Sequence, residues 1–255
     1  MTHPLHMTRF QHGSSAHFFG VHGWGSTGPQ SFSDLAQHLP EDASLFAPDL
    51  PGCGQTPPLS SWTPEAVHQS LLDSFDAHYT GKPMTVIGSC SGSFHALPLA
   101  IARPEQVKHI VLLEPFAFMP WFFGIFLKPL TGYPLYKMVF DNPIGRAMTR
   151  ASLKRQGGDQ DKVDMVGNFG QSTDLGEAYK YLQYYGTIVD HKVFARATQP
   201  VHIICGENSF KAIHKSLDLW KENWPELTPH VLPGIGHMLS QEAPELTASL
   251  IFNVR

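Results

Sequence analysis

The chain has 255 residues, 42% hydrophobic and 16% charged, with a formal net charge of −4. That length and apolar share support a sizeable core and exclude long intrinsic disorder. The acidic balance removes the electrostatic footprint expected of a nucleic-acid-binding protein. Three cysteines cannot build a disulfide framework, so a reducing, cytoplasmic setting is expected. The stretch Met1–Phe10 lacks the apolar run of a signal peptide. No uncharged apolar stretch reaches the roughly 18 residues of a spanning helix, so a membrane partner is not expected. None of the 15 histidines falls in a His-Glu-x-x-His arrangement, and no Cys-x-x-Cys occurs. No metal or other cofactor is therefore expected.

In chain order, His17–Val21 is a short apolar strand that ends in the glycine-rich His22-Gly-Trp-Gly25. Residues 30–39 carry Phe32, Leu35, Ala36 and Leu39 at helical spacing. Ser44–Ala47 is a second strand, stopped by Pro48-Asp-Leu-Pro-Gly52. Thr63 and Pro64 form a cap and first turn for a helix to about Tyr79. Met84–Ile87 is a buried strand that turns through Gly88-Ser-Cys-Ser-Gly92 into another helix, and Val107–Leu113 is the next strand. Strands alternating with helices predict parallel pairing with right-handed crossovers. Continuously apolar strands predict a sheet covered on both faces.

After Glu114-Pro115 the alternation stops for about 80 residues. Helical segments are predicted at 134–155, 160–169 and 175–189. A strand then returns at Gln199–Gly206, followed by a helix at 209–223, a strand at 229–232 and a last helix from about 240. The pattern is one sheet domain, residues 1–114 and 197–255, interrupted by a helical insertion at 115–196.

Gly88-Ser-Cys-Ser-Gly92 carries the chemistry. A turn this tight between strand and helix forces its central residue into strained geometry, and the flanking glycines keep side chains clear. The central side chain then projects above the sheet edge at a helix N-terminus, which favours an anion. That residue is Cys90; shifting the frame to Ser89 or Ser91 loses the glycines. Cys53 and Cys205 lie in no such turn and are expected to be structural.

Taken with His22-Gly-Trp-Gly25, Asp49-Leu-Pro-Gly-Cys-Gly-Gln55 and Gly234-Ile-Gly-His237, in that order along the chain, the turn resembles the α/β-hydrolase fold family over nearly the whole length. The departure is the nucleophile, serine in most members. Cysteine there resembles dienelactone hydrolases and polyhydroxyalkanoate synthases. The absence of aspartate disfavours the chemistry of haloalkane dehalogenases and epoxide hydrolases. Pro98 inside the following helix removes a backbone donor and predicts a kink.

The resemblance implies His237 as the base that takes the thiol proton and later protonates the leaving group. The usual family position for the third member is Ser209, which cannot serve as an acid. The alternative family position is Glu114, directly after a strand, where a buried carboxylate can orient His237. Glu207, or no carboxylate at all, is the other reading. The resemblance puts the oxyanion hole at the backbone amides of Trp24 and Ser91.

The insertion opens with Phe116, Phe118, Trp121, Phe122, Phe123 and Phe126 before its first charge at Lys128. Tyr179, Tyr181, Tyr184 and Tyr185 form a second aromatic cluster. Together they predict an apolar acyl substrate of medium to large size. The expected activity is a cysteine-dependent hydrolase, an esterase or thioesterase, acting on an apolar ester, thioester or lactone through an acyl-cysteine. An acyltransferase using the same intermediate and a non-catalytic small-molecule receptor are the alternatives. The sequence leaves the oligomeric state open.

Overall fold

A computed structural model describes residues 4–155, 173–188 and 190–254. The chain enters through β1 (Met7–Phe10) and β2 (Ala16–Val21), then alternates α1 (Gly28–Ala36), β3 (Ala43–Pro48), α2 (Pro64–His78) and β4 (Met84–Ser89). A single 3-10 turn over Cys90–Gly92 leads into α3 (Ser93–Ala102) and β5 (Val107–Leu113). The stretch after β5 is helical: α4 (Trp121–Gly124), α5 (Gly132–Phe140), α6 (Pro143–Arg155) and α7 (Leu175–Thr187). The sheet resumes with β6 (Val201–Gly206), α8 (Lys211–Asn223) and β7 (His230–Leu232), and the chain closes on α9 (Leu239–Glu242) and α10 (Pro244–Phe252).

The seven strands pair in the order β1-β3-β2-β4-β5-β6-β7. Only β1 runs antiparallel, on the edge against β3; all other pairs are parallel. The edge strand β1 has no counterpart in the elements predicted from the sequence. The predicted helix at 160–169 lies outside the described residues.

Both faces of the sheet are covered, and the two-residue side-chain period decides which residue faces which layer. Phe19, Val86, Ile110 and Leu112 join the cluster with Leu71 and Phe75 of α2, Leu97 of α3 and Trp220 of α8. Their neighbours Phe18, Ile87, Val111 and Leu113 join Phe32 and Leu35 of α1 and Ile251 of α10 on the other side. A third cluster lies within the insertion: Phe123, Phe126, Tyr136, Phe140, Ala178 and Leu182. The helices begin where their capping residues stand. Thr27 accepts from Gln30 N, Thr63 from Ala66 N and Asp174 from Glu177 N.

Pro98 is accommodated inside α3. It cannot bond the Phe94 carbonyl one turn back, and the His68 ring of α2 lies beside the Phe94 backbone. No described helix is long and apolar enough to cross a membrane.

The strand order also locates the site. The chain runs from β2 outward to β3, then returns to β4 on the other flank of β2. Loops leaving β2 and β4 therefore diverge in opposite directions and open a crevice at their carboxyl ends. Val21 pairs with Gly88 in the register, which puts the His22–Gly25 loop beside the Cys90 turn.

Candidate active site

The turn after β4 holds Cys90 at φ 54°, in the left-handed region that disfavours a side chain. Close packing holds it there. A Cβ on Gly88 would stand 2.8 Å from Ser93 Cα, and one on Gly92 would stand 2.3 Å from the Val21 carbonyl oxygen. On Gly23 it would meet Cys90 Cβ at 3.1 Å. The glycines thus let two loops and a helix converge on one sulfur.

The three cysteines fall into two environments. Cys90 is partly exposed, whereas Cys53 and Cys205 are buried. Burial pushes the Cys53 thiol up to about 12. Burial, aided by the Glu114 charge, does the same to Cys205. Neither is a thiolate at neutral pH.

Glu114 follows β5 with φ 53°, and its side chain is almost wholly buried. Its carboxylate accepts from Gly206 N at 2.6 Å, from the Ser209 hydroxyl, and from His237 Nδ1 at 3.0 Å. The His237 ring also hydrogen-bonds Cys90. With Nδ1 given to Glu114, the ring presents Nε2 to the sulfur. Burial alone would lower the His237 pKa, but the charge and hydrogen bond of Cys90, with those of Glu114, outweigh it and push it up to about 10. The Phe210 ring packs on the imidazole, centroids 4.5 Å apart.

Glu207, the other predicted acid, is exposed and accepts from Gly234 N at 2.8 Å. It holds the start of the histidine loop. Glu242 of α9 holds its end, accepting from Gly236 N at 2.8 Å and Met238 N at 3.1 Å, the amides on either side of His237. Glu242 is a neighbour that the sequence reading did not pick out, and Ser209, set aside there as an acid, donates its hydroxyl to Glu114. Ser209 stands where the family places its acid, and a hydroxyl there that binds the relocated carboxylate was a usable signal. Glu242 carried no signal without the loop geometry.

The remaining motif residues are scaffold. His22 Nε2 accepts from Leu50 N at 2.9 Å, and its Nδ1 bonds Gly23 O at 2.9 Å. Asp49 accepts from Gly28 N at 2.8 Å and Gln55 N at 3.0 Å. Together they fix the loop that carries Trp24. The Trp24 indole donates to Ala178 O of α7 at 2.6 Å, and its backbone N–H donates to Ser91 Oγ at 2.8 Å.

Cys90, Ser91, Glu114, His237 and Trp24 all line one cavity of about 450 Å3. Its walls include Phe94, Phe116, Phe118, Phe122, Phe123 and Leu182. Two of the predicted pocket aromatics lie elsewhere: Trp121 is 82% exposed, and Phe126 packs inside the insertion. Of the four tyrosines, only Tyr185 reaches the cavity. Tyr181 and Tyr179 instead donate to the Pro51 and Phe126 carbonyls. No lysine or arginine lines the cavity among the described residues.

A family model described as "Alpha/beta hydrolase family" matches residues 18–250. Lipase LipV of Mycobacterium tuberculosis is 38% identical over 111 residues, 44% of this chain and 41% of that protein. The pimeloyl-[acyl-carrier protein] methyl ester esterase of Aromatoleum aromaticum is 33% identical over 122 residues, 44% of this chain and 46% of that protein. The chain thus spans less than half the length of these curated relatives. A thermophilic esterase from Thermogutta terrifontis superposes with a TM-score of 0.71 at 16% identity, over 97% of this chain and 91% of that one.

Proposed function

The chain belongs to the alpha/beta hydrolase family, and from that premise we propose that it is a cysteine-dependent hydrolase of an apolar ester, thioester or lactone. The observation that carries this is the line of hydrogen bonds from Glu114 through His237 to Cys90 in the wall of an aromatic cavity. In this reading the Cys90 thiol gives its proton to His237 Nε2, and the sulfur attacks the acyl carbon. The carbonyl π pair moves to oxygen, where the Trp24 and Ser91 amides receive it. Collapse reforms the carbonyl and expels the leaving group, which takes its proton from His237. Water then gives a proton to His237 and attacks the thioester, and the Cys90 thiolate leaves with the acid as product. Glu114 holds the imidazolium throughout. Residues 115–196 act as a cap that shapes the acyl pocket.

Two things support the substrate class. Among the described residues the lining offers aromatic and aliphatic surface without a lysine or arginine for a phosphate or a free carboxylate. The named relatives are a lipase and a methyl ester esterase, which favours an ester bond. The test is a panel of straight-chain esters and thioesters, from acetyl to palmitoyl, followed by intact-protein mass spectrometry of quenched reactions. The expected result is turnover with an acyl adduct on Cys90 that Cys90→Ala lacks. Absence of both turnover and adduct across the panel overturns the reading. The apolar walls also favour acyl transfer from the same thioester by excluding water. An adduct that decays faster with an added alcohol or amine than in water alone would select transfer.

A further inference from the structure

The Trp24 backbone N–H, expected to face a substrate oxygen, already has a partner in this structure. It donates to the hydroxyl of Ser91, the residue after Cys90, at 2.8 Å. That hydroxyl is buried and belongs to a longer chain of groups. The Tyr185 hydroxyl stands next to Ser91 and lies 3.1 Å from His95 Nε2. Tyr185 comes from α7 in the insertion and His95 from α3, so two elements stand behind the Ser91 hydroxyl. His95 is fully buried, and burial drives its pKa well below the ordinary range, so it stays neutral and can accept through Nε2.

The Trp24 loop does not need this bond for its shape. His22 bonds Leu50 N and Gly23 O, the Trp24 indole bonds Ala178 O, and the indole packs edge-on against Phe123 and Phe140. A backbone N–H carries one proton and makes one strong bond at a time. An oxygen at 2.8 Å from Trp24 N therefore competes for the position that the acyl oxygen would take.

We propose that the Ser91 hydroxyl is a built-in stand-in for the acyl oxygen, which occupies the Trp24 amide until substrate displaces it. Ser91 is then a positioning residue twice over. Its own N–H is retained for the oxyanion, while its side chain sets how strongly an acyl oxygen must compete for the other amide. Only an acyl group whose oxygen gathers charge, as in covalent addition, would win that N–H at a clear profit, because hydrogen bonds to charged acceptors are stronger. A neutral ligand that merely fills the aromatic walls would leave the Ser91 bond in place. The Tyr185 hydroxyl beside it makes the device part of the insertion as well as of the turn.

The inference rests on Cys90 as nucleophile, and the test separates the two. A straight-chain aldehyde adds the Cys90 sulfur to its carbonyl carbon; the thiol proton passes to His237, and the π pair moves to oxygen, which gathers the charge. The resulting thiohemiacetal oxygen sits where the oxyanion would. The matching alkane fills the same walls without such an oxygen. Inhibition constants for both are measured on the wild type, Ser91→Ala, Ser91→Thr and Tyr185→Phe. Ser91→Ala keeps the residue 91 amide, releases the Trp24 amide, and should tighten the aldehyde about three- to tenfold, the worth of one ordinary hydrogen bond, with the alkane unchanged. Ser91→Thr restores the hydroxyl and should restore wild-type aldehyde affinity. Tyr185→Phe removes the hydroxyl next to Ser91 and should tighten the aldehyde by a smaller factor, which keeps the test alive if Ser91→Ala does not fold. Weaker aldehyde binding in Ser91→Ala, or equal shifts for aldehyde and alkane, overturns the stand-in. A wild type that prefers the aldehyde no more than the alkane overturns the nucleophile and the stand-in together.

Discussion

The two ends of the parallel strands treat the same side chain in opposite ways. At the carboxyl ends, His237 is half-buried yet pushed up to about 10, because Cys90 and Glu114 outweigh its desolvation. Toward the amino ends, His17, His109 and His202 are lowered: by burial first, then by Lys82 and Arg9 at His17, by Lys108 at His109 and by His109 and His230 at His202. Each of these three keeps a buried ring nitrogen without a hydrogen-bond partner among the described residues. Burial is common to both ends and does not distinguish them. The distinction is the charge of Cys90 and Glu114, which follow two separate strands and together raise the His237 pKa.

That contrast is broken most severely at the sulfur. Cys90→Ala should cost at least about 10³-fold in kcat/KM on the proposed ester, with His237→Ala close behind at about 10²–10⁴-fold. Steady-state kinetics on folded variants checks both. Glu114→Gln keeps the shape but removes the charge. It should cost about 1.5–3 kcal/mol of transition-state stabilisation, roughly ten- to a hundredfold; an unchanged rate would remove Glu114 from the chemistry.

A subtler measurement is the titration of His237 by NMR. Its folded pKa lies above the ordinary 6.5, so the stabilisation it brings is full below about pH 6.5 and fades as pH rises through about 10. Cys90→Ala removes the largest of the raising influences and should move the titration downward. Thermal midpoints should then fall less between those pH values than in the wild type. The smallest effect belongs to the other end of the sheet: His109→Val should leave kcat/KM within about twofold, as expected of a strand residue remote from the cavity. A larger loss would erase the contrast between the two ends.

Much of this was legible in the sequence because the chemistry is bound to local signals. Glycines at 88 and 92 mark the turn on either side of Cys90, and Glu114 directly follows the apolar run Val107–Leu113. What escaped depends on contacts between distant segments. The strand Met7–Phe10 is too short to show a period and exists because it pairs with Ala43–Pro48. The aromatic run after Pro115 reads as one apolar stretch, yet Trp121 faces solvent while Phe116 and Phe123 are buried. Composition gives the amount of apolar surface and not its direction. The occupied Trp24 amide has no sequence signature at all, since the serine beside Cys90 is silent until its rotamer is known.

Glu114 is the last residue before the chain leaves the sheet, and the exit is pinned at once. Trp220 Nε1 donates to the Pro115 carbonyl, and Ser216 Oγ accepts from Ala117 N, both from α8 below. Whatever happens farther along the insertion is therefore mechanically insulated from the carboxylate. The roof above the cavity is thus anchored to α8 apart from the hydrogen bonds that hold the Glu114 carboxylate.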